Sequence, residues 1–356
     1  MKKFFFIAAM VSAALISCTK NEPAPSMEAQ QEITFMTAPL TKATAFDTGK
    51  KFISYAYLLT DGKAWNATNA SAAKPYIVNK LIQFHPANPG ISNAKWAHAT
   101  DVYYWPKDAG SSLTFFAWTD NTADPAGTGK AVAASNVTNG ISFTNYDVTA
   151  INDRDIMVAK IAADKKANEG PMAGATWEKG VPTVFYHILS QMRLTIKLSS
   201  TYAGVGFNLK SVKILSAKKE GTYTQGIDAA LNPTEGTWTE GTNSTEFPLF
   251  TGDMTVNQTT AMTVTPAESD YTILLPQTFD AADKATETVQ IVYDVTTDYG
   301  AVVTETVTKT IDLNTIFGKW EAGKYYTLNI TLGLDQILWD PAVEDWTEGS
   351  SYDWTI

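Results

Sequence analysis

The 356-residue chain is 44% hydrophobic and 12% aromatic, with only 18% charged residues and a formal net charge of −10. With an isoelectric point near 4.9, it lacks the clustered Lys and Arg that phosphate backbones require, which excludes nucleic acid as a partner. Its one cysteine, Cys18, excludes an intramolecular disulfide, a Cys-based metal site and a thiol nucleophile in the body of the chain.

Residues 1–17 have the layout of a secretory signal. A basic start (Lys2, Lys3) precedes an apolar run from Phe4 to Ile16 that is too short to span a bilayer. Leu15-Ile16-Ser17-Cys18 resembles a bacterial lipobox, so Cys18 is expected to carry a lipid after cleavage before it. The polar, Pro-containing stretch that follows, to Gln31, reads as a tether.

Past the tether, alternating patterns rich in Thr, Val, Ile, Tyr and Trp predict strands almost throughout. The first is EITFMT (32–37), with Ile33 and Phe35 on one face, and the second is KFISYAYLL (51–59). The aromatic stretch 101–118 breaks at Pro106 to Gly110 and reads as a hairpin. Its rings, Tyr103, Tyr104, Trp105, Phe115, Phe116 and Trp118, are expected in a core rather than on a sugar-binding platform. Strands are also expected at 140–143 and 155–159, while 156–166 is the best helical candidate, with a strand running into a loop as its alternative.

Residues 164–182, rich in Gly, Pro, Lys and Ala, suggest a domain boundary. A second series of strands follows: 184–198, 209–215, 261–265, 271–276, a hairpin at 288–311 around Asp298-Tyr299-Gly300, and 324–332. Met192, Leu194, Ile196 and Leu198 point one way, as do Val289, Ile291, Tyr293 and Val295, and Tyr326, Leu328, Ile330 and Leu332. Two blocks of short strands at turn spacing predict an all-β protein of two sandwiches.

Catalytic constellations do not emerge. His85, His98 and His187 lack ligand spacing, and His187 reads as a packed, hydrogen-bonded histidine. The loop 120–130 fails both the phosphate-loop and the EF-hand patterns, with Asp124 and Ala131 against the first, and Thr122 and Pro125 against the second. The pairs Asp153/Asp155 and Asp280/Asp283 read as loop carboxylates, and no GxSxG occurs. No enzyme activity, cofactor or metal is expected.

Several motifs in order carry a family resemblance. After the lipobox come ITF.T (33–37), Thr41-Lys42-Ala43, YYWP (103–106), LTFFAW (113–118) and DIMVA (155–159). They continue with F.H.LSQM (185–192), LLPQ (274–277), W.AGKYYTLNI.L (320–332) and VEDW..G (343–349). Together they resemble the fimbrillin family, the lipoprotein-derived type V pilins of Bacteroidales outer membranes.

The resemblance implies two tandem transthyretin-like sandwiches: signal peptide 1–17, tether and removable first strand 18–42, an N-terminal domain 43–180 and a C-terminal domain 181–356. It also implies lipidation at Cys18, passage to the outer membrane and the cell surface, and proteolytic loss of the strand bearing Ile33 and Phe35. Polymerisation with other pilin subunits by strand exchange then follows, in a fimbria that adheres to an unknown target. Family shafts are often cut after Arg; the matching bond here is Lys42–Ala43. The C-terminal stretch YDWTI, with Tyr352, Trp354 and Ile356 alternating, is the expected donor strand. The alternatives are a surface glycan-binding lipoprotein, or an anchor or tip subunit, of the same fold.

Overall fold

The computed structural model describes residues 30–37, 46–87, 93–125, 133–149, 155–170, 179–265, 271–280, 282, 286–298, 300–334 and 338–345. The chain divides into a short unit, Met1–Gln30, and a large one, Gln31–Ile356, which holds every element below. The all-β class expected from the sequence is the class observed. The helical elements with described bounds are Ala67–Ala70, Leu313–Ile316 and a 3-10 turn at Pro233–Glu235.

The largest sheet has nine strands. In spatial order they are Val181–Thr183, Phe35–Thr37, Lys95–His98, Lys74–His85, Phe52–Leu59, Ser112–Thr119, Met157–Ala159 and Phe185–His187, with Ala162–Lys165 also pairing to Ser112–Thr119. Its central strands are buried on both faces, as expected where a sheet is covered on each side. Ile53, Tyr55, Tyr57, Leu59, Phe116 and Trp118 face one core. Their neighbours in the pleat, Phe52, Ala56, Leu113, Phe115 and Ala117, face another, shared with Phe35, Ile77, Ile82, Trp96 and Trp105. The sheet curls around this second core. Phe35 and Phe115 lie on strands separated by three others, a flat span of roughly 19 Å at the usual strand spacing, yet their rings are 5.9 Å apart.

Against the other face lies a four-stranded sheet of Ala133–Asn136, Gly140–Asp147, Glu220–Thr224 and Thr237–Glu240. Trp118 meets Phe143 edge to face at 5.2 Å, and the Tyr55 hydroxyl donates to the Ala133 carbonyl at 3.1 Å. Backbone pairing thus links residues on either side of position 180: Val181–Thr183 to the first strand, Phe185–His187 to Met157–Ala159, and Glu220–Thr224 to Gly140–Asp147.

Two further sheets of four or more strands use only residues beyond 189, as does a two-stranded pairing of Gln277–Thr278 with Lys319–Trp320. One combines Ser190–Leu198, Lys324–Leu332, Leu338–Asp345, Met262–Thr263 and Thr272–Leu274; the other combines Val205–Lys218, Ser244–Val256, Thr288–Asp298 and Val302–Asp312. Met192, Leu194, Ile196 and Leu198 are buried, as are Tyr326, Leu328, Ile330 and Leu332, and Val289, Ile291 and Tyr293; Val295 is partly buried against the same core. The alternation expected from the sequence holds because one face of each sheet packs into this core, although Gln191, Thr327 and Thr331 on the other face of the first sheet are buried as well.

Two expectations need correction. Residues 156–166 form no helix but two strands, Met157–Ala159 and Ala162–Lys165. Asp164 adopts a positive φ of 56°, and its carboxylate accepts the Trp65 N–H at 2.9 Å, which fixes a bend that a helix does not allow. The expected hairpin at 101–118 is also absent. Tyr103–Trp105 bonds instead to the tether end of the first strand: Ile33 N–H donates to Tyr103 O at 2.8 Å, and Trp105 N–H to Gln31 O at 3.0 Å.

Candidate functional site

The first strand is short but lies inside the sheet, parallel to Val181–Thr183 on one side and antiparallel to Lys95–His98, through Phe35 and Trp96, on the other. Its residues suit both a strand and a core, and Ile33, Phe35 and Met36 are at most 1% exposed. Phe35 meets Phe52 at 5.5 Å and Phe115 at 5.9 Å, both edge to face. Three hydrogen bonds hold the backbone and Thr34 on either side. Ile33 N–H donates to Tyr103 O, Val181 N–H donates to Thr34 O at 2.7 Å, and the Thr34 hydroxyl donates to Lys179 O at 2.9 Å.

Side chains not singled out from the sequence complete the cradle. Asn168 Oδ1 accepts from Thr34 N–H at 3.2 Å and from Trp105 Nε1 at 3.0 Å, while its Nδ2 donates to Glu32 O at 2.9 Å. Lys95 forms an ion pair with Glu32. Gly180 permits the closest approach: a Cβ there would stand 2.4 Å from the Phe35 carbonyl carbon. A Gly directly before a β-rich run is the one sequence signal that points to such backbone proximity; nothing marks Asn168.

His98 lines the same core at 5% exposure, with its ring 4.5 Å from Tyr103 and 5.7 Å from Phe35. Its Nε2 has no hydrogen-bond partner among the described residues. Burial pushes the imidazole down to about 4, against roughly 6.5 in an unfolded chain. Between those values the unfolded chain holds a proton that the folded chain refuses, so stability falls as pH drops from about 6.5 towards 4. At pH 5 the loss from this group is about 2 kcal/mol. Urea midpoints at pH 7 and pH 5 should therefore differ less in His98→Phe than in the parent; equal differences would refute a neutral buried imidazole.

Of the aromatic stretch, Trp105, Phe115, Phe116 and Trp118 are buried, Tyr103 is half-buried and Tyr104 is exposed. Core packing is thus what the structure shows for four of the six rings. The histidines are not all apart: His85 Nε2 lies 3.2 Å from the His98 carbonyl. His187 Nδ1 lies 2.5 Å from Asp155 Oδ2. Among the described residues no group of three or more His, Cys, Asp or Glu is placed to hold a metal, and no helix is long and apolar enough to cross a membrane. Cys18, Lys42, Ala43, Asp153, Asp283, Tyr352, Trp354 and Ile356 lie outside the described residues. Leu338–Asp345, just ahead of the expected donor, is itself an edge strand antiparallel to Lys324–Leu332.

The sequence profile of the fimbrillin-like family matches residues 41–346. No curated protein matches the chain. The fold is similar to that of a fimbrial protein from Bacteroides vulgatus, at 18% identity and a TM-score of 0.63, covering 89% of this chain and 100% of the other. A Bacteroides uniformis protein assigned to cell adhesion is also similar, at 18% identity and a TM-score of 0.47, over 90% and 99% of the two chains. The chain belongs to the fimbrillin-like family.

Proposed function

We propose that this member of the fimbrillin-like family is a non-enzymatic structural subunit of a cell-surface fimbria. In this reading it is lipidated at Cys18, carried to the outer membrane, cut after Lys42 and polymerised by strand exchange with other pilin subunits, in a fibre that contributes to adhesion. The single observation that carries the reading is the first strand. It is a fully buried interior strand at the extreme N-terminal side of the large unit, so its loss opens a groove without breaking the chain that lines it. The sequence supplies a polar stretch with Lys42 between that strand and Phe52–Leu59, which suits a trypsin-like protease.

The domain division at 180/181 belongs to the same proposal. The two larger sheets made only of residues beyond 189 support a C-terminal sandwich. A glycan platform needs exposed rings in a plane, and the buried Trp105, Phe115, Phe116 and Trp118 do not supply one. The test is the N-terminus of subunits in fibres sheared from cells. Mass spectrometry should find Ala43 first and residues 1–42 missing. An acylated Cys18 at the start of a fibre-borne subunit would instead make this chain an anchor.

A further inference from the structure

Val302–Asp312 forms one edge of the sheet it shares with Thr288–Asp298, Val205–Lys218 and Ser244–Val256. The opposite edge, Ser244–Val256, carries Pro248 and three breaks in its register with Val205–Lys218, the devices that keep an edge from pairing with another chain. Val302–Asp312 has neither a Pro nor a register break, and the charges it does carry on the edge, Glu305 and Lys309, are of opposite sign. It pairs with Thr288–Asp298 without a break from Asp298↔Val302 to Thr288↔Asp312. Eight of its 11 residues are Val, Ile or Thr, which favour extended backbone. Val302 and Val303 stand 69% and 59% exposed.

The strand also complements itself. Turned antiparallel about Val307, the sequence VVTETVTKTID sets Val303 opposite Ile311, Thr304 opposite Thr310, Glu305 opposite Lys309 and Thr306 opposite Thr308. Within its own sheet, Glu305 faces Val295 and Lys309 faces Ile291, and neither has a charged partner among the described residues. A second copy supplies both at once, because the two-fold axis makes the Glu305–Lys309 pair twice. We propose that Val302–Asp312 is a homotypic docking edge that pairs antiparallel with the same strand of a second copy of this chain. The inference stands apart from the strand-exchange reading, since it uses neither the first strand nor the C-terminal residues. One strand pair buries less surface than a standard stable interface, so the dimer is weak in solution and gains strength where copies are arrayed.

The test is sedimentation of the purified, untrimmed full chain up to several hundred micromolar, a range chosen for a weak interface. The parent should pass from monomer to dimer with concentration. Glu305→Lys sets the new ammonium of each copy against Lys309 of the other and should raise Kd about tenfold or more. The swap Glu305→Lys with Lys309→Glu regenerates opposite charges in the same register and should restore the parent Kd within a few-fold. Circular dichroism of all three proteins controls for folding. A parent monomeric throughout, a dimer indifferent to Glu305→Lys, or a folded double swap that stays monomeric would each overturn the proposal.

Discussion

Phe35→Ala should lower the unfolding free energy by about 3–5 kcal/mol, the range for emptying a buried aromatic site. The side chain is 1% exposed and meets the rings of Phe52, Phe115 and His98 edge to face. Those neighbours come from three different strands of the curled sheet, so none can move into the space without leaving its own register, and the cavity stays open. Tyr104→Ala is the control: its ring is exposed, and it should change stability by less than about 0.5 kcal/mol. Denaturant titration of the untrimmed chain measures both. A loss below about 1 kcal/mol for Phe35→Ala would mean that the first strand is docked on the core rather than part of it.

Removal of the whole strand should have a larger effect and convert the protein from monomer to polymer. Ile33, Phe35 and Met36 each contribute about 1.5–3 kcal/mol by burial. Tyr103 O, Val181 N–H and Lys179 O each lose a partner that the strand supplies, at about 1 kcal/mol apiece. Asn168 loses two of its three hydrogen bonds. The total is of the same order as the stability of a typical domain, about 5–15 kcal/mol. A chain with an empty groove is therefore unstable until another strand enters. The unpaired groups along Val181–Thr183 and Lys95–His98 are the template for that entry. A donor presenting Tyr352, Trp354 and Ile356 brings larger side chains than the strand it replaces. In this account the exchange runs towards the fibre and reverses very slowly.

The legible parts of the fold were those governed by neighbours in sequence. Ser190–Leu198 and Lys324–Leu332 alternate apolar with polar residues because one face of their sheet packs into the core, and the pattern survives in the residues. Their mutual pairing is parallel, Gln191↔Tyr325 to Leu198↔Leu332, across more than a hundred residues, and periodicity carries no trace of it. The same limit explains the misread hairpin. The residues around Pro106 look like a turn between two aromatic runs, but Tyr103–Trp105 finds its partner at Gln31–Ile33, a choice set by the curl of the sheet. The helical reading of 156–166 failed for a local reason. Apolar residues cluster there because Ile156 to Ala159, Ile161 and Ala162 are buried while the rest of the second strand is only partly so, and clustering alone does not separate a buried strand from a helix. Ile33 and Phe35 were identifiable as an inward-facing pair. The groove that holds them, with Gly180 under the backbone and Asn168 bridging its two sides, was not, since both come from a segment whose composition reads as a linker.

The most direct measurement is the size distribution of the chain after mild trypsin treatment and removal of the released N-terminal segment, with and without residues 350–356, followed by electron microscopy. The account predicts a polymer ladder and fibres from the trimmed chain that keeps residues 350–356, and none from the trimmed chain that lacks them. Equal polymerisation of both would contradict the donor assignment, and stable monomers from both would contradict strand exchange itself.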